Sequence, residues 1–123
     1  MTQEVLIVDD VLVNRKLAVA MFRKLGWQAV EVGGGTAALE WLATHHPDLV
    51  LLDISMPDLC GEEVCIKLRA NPDFNKIPAV VAYTAHAMQV DIDRFLANGF
   101  NSVLIKPISF QALKDVVNKL IFE

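Results

Sequence analysis

The sequence predicts a doubly wound α/β domain, a parallel β-sheet with helices packed on both of its faces. Three observations carry that reading. Short aliphatic runs of four to six residues recur along the chain, each followed by a longer stretch with the apolar spacing of a helix. One run, Leu49-Val50-Leu51-Leu52, shows no polar alternation, the pattern of a strand buried on both faces at the centre of a parallel sheet. The chain has 123 residues, 54% of them hydrophobic, which suits one domain (residues 1–123) with a full core and argues against disorder.

The elements follow in order. Glu4-Val5-Leu6-Ile7-Val8 is a first strand ending in Asp9-Asp10. Val13 to Leu25 reads as a helix with Leu17, Ala18, Met21, Phe22 and Leu25 on one face, stopped by Gly26. Gln28–Val32 alternates polar and apolar residues, as an edge strand with one wetter face does. Gly33-Gly34-Gly35 lacks the Gly-Lys-Ser/Thr of a phosphate loop, so a flexible turn into a second helix, Thr36 to Thr44, is the simpler reading. The apolar run ending at Asp53 is the third strand. Gly61 to Ala70 is a third helix with Val64, Cys65 and Leu68 inward, closed by a turn at Asn71-Pro72-Asp73. Ala79–Thr84 is the fourth strand. Met88 to Asn98 is a fourth helix with Met88, Ile92, Phe95 and Leu96 inward and Val90 outward, ended by Gly99. Ser102–Ile105 is the fifth strand and runs into Lys106-Pro107. Ser109 is a good N-cap for a last helix with the stripe Phe110, Leu113, Val116, Val117, Leu120 and Ile121. A (βα)5 chain of this kind takes the flavodoxin-like strand order 2-1-3-4-5, with its switch point between strands one and three.

Composition excludes several classes. Eleven basic against 15 acidic residues give a net charge of −4, which disfavours nucleic acid as a direct partner. The apolar runs fall far short of the ~20 residues of a membrane span, and no signal segment opens the chain, so a cytoplasmic location is expected. Cys60 and Cys65 have neither redox-pair nor zinc spacing and read as semi-buried thiols. His45 and His46 read as solvated or capping residues, and no nucleophilic triad can be assembled.

Chemistry gathers at the carboxyl ends of the strands, where open α/β sheets bind ligands. Strand one presents Asp9 and Asp10, strand three Asp53, strand four Thr84 and strand five Lys106. Three neighbouring carboxylates call for a cation, and hard oxygen donors suit Mg²⁺ (or Mn²⁺). A hydroxyl and an ammonium opposite them suit a phosphoryl group, and an aspartate so placed can be its nucleophile.

With these residues in hand, the chain resembles the receiver domain of two-component response regulators over essentially its whole length. The matching residues are Val8-Asp9-Asp10, Asp53 with Met56-Pro57 and Gly61, Thr84-Ala85, and Lys106-Pro107. The resemblance implies that Asp53 accepts a phosphoryl group from the phosphohistidine of a histidine kinase or histidine phosphotransfer protein. It implies that Asp9, Asp10, Asp53 and the backbone carbonyl of Ser55 hold Mg²⁺. Thr84 is then the switch hydroxyl and Lys106 the ion-pair partner of the phosphoryl group, with a Lys106–Pro107 bond that is typically cis. Such a domain assists its own phosphorylation and dephosphorylation and is not a conventional turnover enzyme. Asn14-Arg15-Lys16 and Thr84-Ala85-His86-Ala87-Met88 look most like receivers of hybrid histidine kinases or phosphorelays. No effector domain follows the last helix, and Met1 just before the first strand favours a natural start, although a receiver excised from a larger protein has the same form.

The chain departs from the family at Val103, where Tyr or Phe is usual and swings inward to report phosphorylation. Phe100 could compensate, or could simply make a hydrophobic contact after Gly99. Val11-Leu12-Val13 puts apolar residues at the rim of the site, either as a docking surface for a helical histidine-bearing partner or as packing under the first helix. Val90 marks either an output surface or a scattered exposed valine. Rival functions remain. A haloacid-dehalogenase-like phosphatase needs a second aspartate where this chain has Ser55. A flavodoxin needs a first loop that welcomes phosphate, where Asp9-Asp10 would repel one. A phosphorylation-independent interaction module needs no site chemistry at all.

Overall fold

A computed structural model describes residues 3–71, 78–85 and 87–121. Its elements are β1 (Glu4–Val8), α1 (Leu12–Lys24), β2 (Gln28–Val32), α2 (Gly35–Leu42), β3 (Leu49–Asp53), α3 (Gly61–Ala70), β4 (Ala79–Thr84), α4 (Gln89–Ala97), β5 (Ser102–Ile105) and α5 (Phe110–Ile121). All strand pairs are parallel and the order is β2-β1-β3-β4-β5, as the sequence predicts. Every residue of β3 is buried, whereas edge strand β2 is half-buried beyond its exposed first residue.

Strand alternation sorts the core into two layers. Leu6, Val8, Val50, Leu52, Val80 and Ala82 face α2, α3 and α4, where Ala38, Leu42, Val64, Cys65, Leu68 and Phe95 complete one cluster. Val5, Ile7, Leu49, Leu51, Val81 and Tyr83 face α1 and α5, meeting Ala18, Val19, Phe22, Leu113 and Val117. The last helix is fixed as expected: Ser109 Oγ accepts the Ala112 N–H at 3.0 Å.

Two helices bury less than their patterns predict. In α1 the inward arc is Ala18, Val19 and Phe22, and Leu17, roughly 150° from its centre at 100° per residue, is exposed. In α4 only Phe95 is fully buried. Met88 stands outside the helix as its extended N-cap and is exposed, and Leu96, one residue round from Phe95, is exposed too. Val90 points outward, as expected. Gly99 ends the helix with φ 108°, a left-handed conformation that side chains resist. Phe100 then packs edge-on against Phe95, with ring centroids 5.9 Å apart. It is a core contact, 4% exposed. Pro72, Asp73 and His86, which carry a predicted turn and part of a predicted motif, lie outside the described residues. Among the described residues no helix is long and apolar enough to cross a membrane.

Candidate functional site

The parallel register brings the strand ends level. Val8 pairs with Leu52, Asp53 with Tyr83, and Thr84 with Ile105, so the residues that end or follow these strands gather over β1, β3, β4 and β5. Asp9 is fully buried, and Asp53 and Thr84 nearly so. Asp10 is exposed at the rim. Carboxylate oxygens of Asp9, Asp10 and Asp53 lie within 4.8 Å of one another.

Each group is held by its local chain. Asp9 Oδ1 accepts the Val11 N–H at 2.9 Å, closing the turn into α1. Arg15 Nη1 donates to the Asp9 carbonyl at 3.0 Å, and its Nε donates to Glu31 at 2.8 Å, locking α1 to the start of the loop. Asp53 Oδ1 accepts the Ser55 N–H at 3.2 Å. The Lys106 N–H donates to the Thr84 carbonyl at 2.8 Å, fixing the end of β5 beside β4. The Lys106–Pro107 bond is cis, in agreement with the expectation. Gly61 begins α3 against β3; a Cβ there would collide with the Asp53 carbonyl oxygen, so the close approach needs glycine.

Lys106 Nζ stands 3.2 Å from Asp53 Oδ1 and 3.4 Å from Asp9 Oδ2. One ammonium cannot balance three carboxylates. Among the described residues the buried Asp9 Oδ2 has no hydrogen-bond partner. Burial raises the Asp53 pKa to about 6, the Asp9 charge adds to the rise, and Lys106 opposes it. A buried oxygen with no hydrogen bond among the described residues, beside two further hard carboxylates and an open cleft, is the donor set of a hydrated divalent cation. The residues present therefore fit such an ion. The cleft has a volume of about 400 Å³ and is lined by Asp10, Val11, Asp53, Ser55, Thr84 and Lys106, with Arg94 of α4 on its far wall.

All the strand-end residues singled out in the sequence meet here. Several supporting residues were not foreseen. Asp58 accepts the N–H groups of Gly35 and Thr36 at 3.2 and 3.0 Å, so a carboxylate caps the start of α2 where a phosphate loop would put its anion. The Thr36 N–H, with Gly35 behind it, lowers the Asp58 pKa. Tyr83 lies under the Lys106 ammonium, 4.4 Å from Nζ to ring centroid. Burial, aided by the charges of Asp9 and Asp53, raises its hydroxyl to about 12. Arg94 bridges Glu62 of α3 at 3.0 Å and Asp91 at 3.2 Å, clamping α4 at the mouth of the cleft. Nothing in the sequence separated these residues from ordinary loop, core and surface positions. The thiols of Cys60 and Cys65 are free, the first half-buried and the second buried.

A five-stranded parallel sheet with this strand order, carrying clustered carboxylates, a hydroxyl and a lysine at its strand ends, defines a signalling receiver. The sequence profile of the response regulator receiver domain matches residues 5–118, and the chain belongs to that family, the receivers of two-component signalling. It is similar to the polar-differentiation response regulator DivK of Brucella ovis, at 38% identity over 109 residues, 89% of this chain and 88% of DivK. Among solved structures it is similar to the receiver domain of the sensor histidine kinase PA1611 of Pseudomonas aeruginosa, whose active site cleft coordinates a magnesium ion; identity is 30%, TM-score 0.88, with 100% of both chains covered. It also resembles a chain in the complex of the Saccharomyces cerevisiae histidine phosphotransfer signaling protein Ypd1 with the receiver domain of its downstream response regulator Ssk1. There identity is 25% and TM-score 0.89, over 97% of this chain and 88% of that one. These relationships favour neither the phosphatase, the flavin protein nor the phosphorylation-independent module.

Proposed function

We propose that Asp53 is the phosphoacceptor, taking a phosphoryl group from the phosphohistidine of a histidine kinase or histidine phosphotransfer protein. The observation that carries this is the placement of Lys106 Nζ 3.2 Å from a nearly buried Asp53 carboxylate, with the Asp9 oxygen beside it lacking a hydrogen-bond partner among the described residues. An Asp53 oxygen attacks phosphorus, the P–N bond to imidazole breaks, and the ring nitrogen leaves with its electron pair and takes a proton. The Lys106 ammonium balances charge on the transferring oxygens, and the Thr84 hydroxyl, at the end of the adjacent strand, reaches the phosphoryl group once it is attached. Asp9, Asp10, Asp53 and the Ser55 carbonyl would hold Mg²⁺, which neutralises the phosphoryl oxygens and lets anion meet anion. The same groups support hydrolysis of the aspartyl phosphate, so the chain is a self-assisting phosphoacceptor rather than a turnover enzyme. Residues 1–123 act as a single receiver domain in the cytoplasm, and no effector is needed for the chemistry.

Val11, Leu12 and Val13 are 45%, 55% and 75% exposed, so they do not pack under α1. They form an apolar rim at the cleft, suited to the helical surface that presents the histidine. Val103 lies half-buried in the layer of Phe95 and Phe100 and has no ring to move, which favours phosphate relay over a large conformational readout.

Incubation with acetyl phosphate and Mg²⁺ is expected to add one phosphoryl group, read by intact mass and lost in base or hydroxylamine. Asp53→Asn is expected to abolish it. A label of the same lability on the Asn variant would sink the assignment.

A further inference from the structure

We infer that Tyr83 is a positioning residue for phosphoryl uptake, its buried ring holding the Lys106 ammonium over the reacting carboxylate. This rests on the reading of Asp53 as phosphoacceptor. Lysine is a point charge on a flexible four-carbon stem, so its usefulness depends on what fixes the head. Here Nζ meets two carboxylate oxygens, at 3.2 and 3.4 Å, and one ring face, at 4.4 Å. The carboxylates are an unsteady hold. They are the groups that would serve a divalent cation, and transfer of a phosphoryl group to Asp53 moves the negative charge from its carboxylate onto the phosphoryl oxygens. The ring face loses nothing in either event. It is 2% exposed, packed in the α1–α5 layer with Ile7, Leu104 and Ile108, and a desolvated ring attracts a cation more strongly than a wet one.

Tyr83, the chain's one tyrosine, does not replace the ring missing at position 103. Val103 pairs with Ala82 and shares its layer, facing α2, α3 and α4. Tyr83 pairs with Leu104 and lies in the opposite layer. Its influence on the site passes through Lys106.

Tyr83→Phe keeps the ring, whereas Tyr83→Leu keeps only apolar volume. Proton–carbon spectra of the full chain should show the Lys106 ε-methylene shielded by the ring in the wild type and Phe variant, with and without Mg²⁺, and unshielded in the Leu variant. The maximal rate of uptake from acetyl phosphate at saturating Mg²⁺ should fall about five- to tenfold in the Leu variant and stay within about twofold in the Phe variant. Mg²⁺ affinity by calorimetry should hold in all three. An unshielded Lys106 in the wild type, or a folded Leu variant with an unchanged rate, would overturn the proposal. Should the Leu variant not fold, persistence of the shielding when Mg²⁺ is added to the wild type supports the ring's role and its disappearance overturns it. A wild type that shows shielding but takes up no phosphate sinks the Asp53 assignment and the positioning role with it. Normal uptake without shielding sinks the positioning role alone.

Discussion

The sheet carries a cleft at each end, and the two have the same volume, about 400 Å³. Their polar groups are in opposite condition. At the amino end Arg69 donates to the Gly99 carbonyl at 2.9 Å, the Pro78 carbonyl at 3.1 Å and Asn101 Oδ1 at 2.6 Å. Asn101 Oδ1 also accepts the Val80 N–H at 2.8 Å, and Asp48 accepts the Glu4 N–H at 2.8 Å. At the carboxyl end, among the described residues, the buried Asp9 Oδ2 has no hydrogen bond, and one ammonium meets two of three clustered carboxylates. Cleft volume does not tell a working site from a structural one; the hydrogen-bond accounting does. Exposed apolar side chains lean to the carboxyl end, with Val11, Leu12, Val13, Met88, Val90 and Ile105 near it, while Leu17, Ile66 and Leu96 lie elsewhere on α1, α3 and α4.

After the complete loss of uptake in Asp53→Asn, the next largest effect should come from Asp9→Asn. It removes one of the three carboxylates proposed to hold the ion, and Mg²⁺ affinity by calorimetry is expected to fall about a hundredfold, the upper end of what loss of an outer partner costs. Affinity within twofold of wild type would remove Asp9 from the ligand set. At the amino end Arg69→Leu should act on stability alone. It strands two backbone carbonyls, and denaturant unfolding is expected to show a loss of about 2–3 kcal/mol. Phosphoryl uptake per folded molecule should not change; a matching loss of uptake would mean that the two ends are coupled.

Asp53 gives the reverse sign. Its folded pKa of about 6 lies above its ordinary value of 3.8, so the fold favours the neutral carboxyl. The folded state then binds more protons between those values, and stability without metal falls as pH rises through that window. Asp53→Asn carries no such charge. In EDTA at pH 8 it is expected to be more stable than wild type by about 3 kcal/mol, the advantage fading towards pH 4 and shrinking when Mg²⁺ is added. A variant less stable than wild type at pH 8 would show that burial does not raise the Asp53 pKa on balance against Lys106.

The strands were legible because uninterrupted aliphatic runs have few alternatives, and the site followed because parallel pairing leaves strand-end residues side by side. Helix faces were less legible. Leu17 and Leu96 fit an apolar arc as well as their buried neighbours do, and which part of the arc docks depends on the partner layers. Met88 looked inward only while the helix was extended one residue too far. Tyr83 and Asp58 were missed for opposite reasons. A tyrosine inside an apolar strand reads as core, and an aspartate just after a loop proline reads as solvated; what each holds is settled only by elements distant in the chain. Arg69 likewise gains its three acceptors from segments around residues 78, 99 and 101.

The smallest expected effect on the isolated chain comes from the apolar rim. Leu12 and Val13 are 55% and 75% exposed at the start of α1, beside Val11 of the cleft. Replacing both with serine removes little buried area, so stability should change by no more than about 0.5 kcal/mol per site. Acetyl phosphate, small enough to reach Asp53 without touching the rim, should phosphorylate the double variant at the wild-type rate. A histidine-phosphorylated protein must dock before transfer, and there the rate at limiting donor concentration should fall several-fold, with the rate at saturation preserved. Equal rates from the protein donor would leave the rim as ordinary surface, and the two ends of the sheet would then differ in their charge alone.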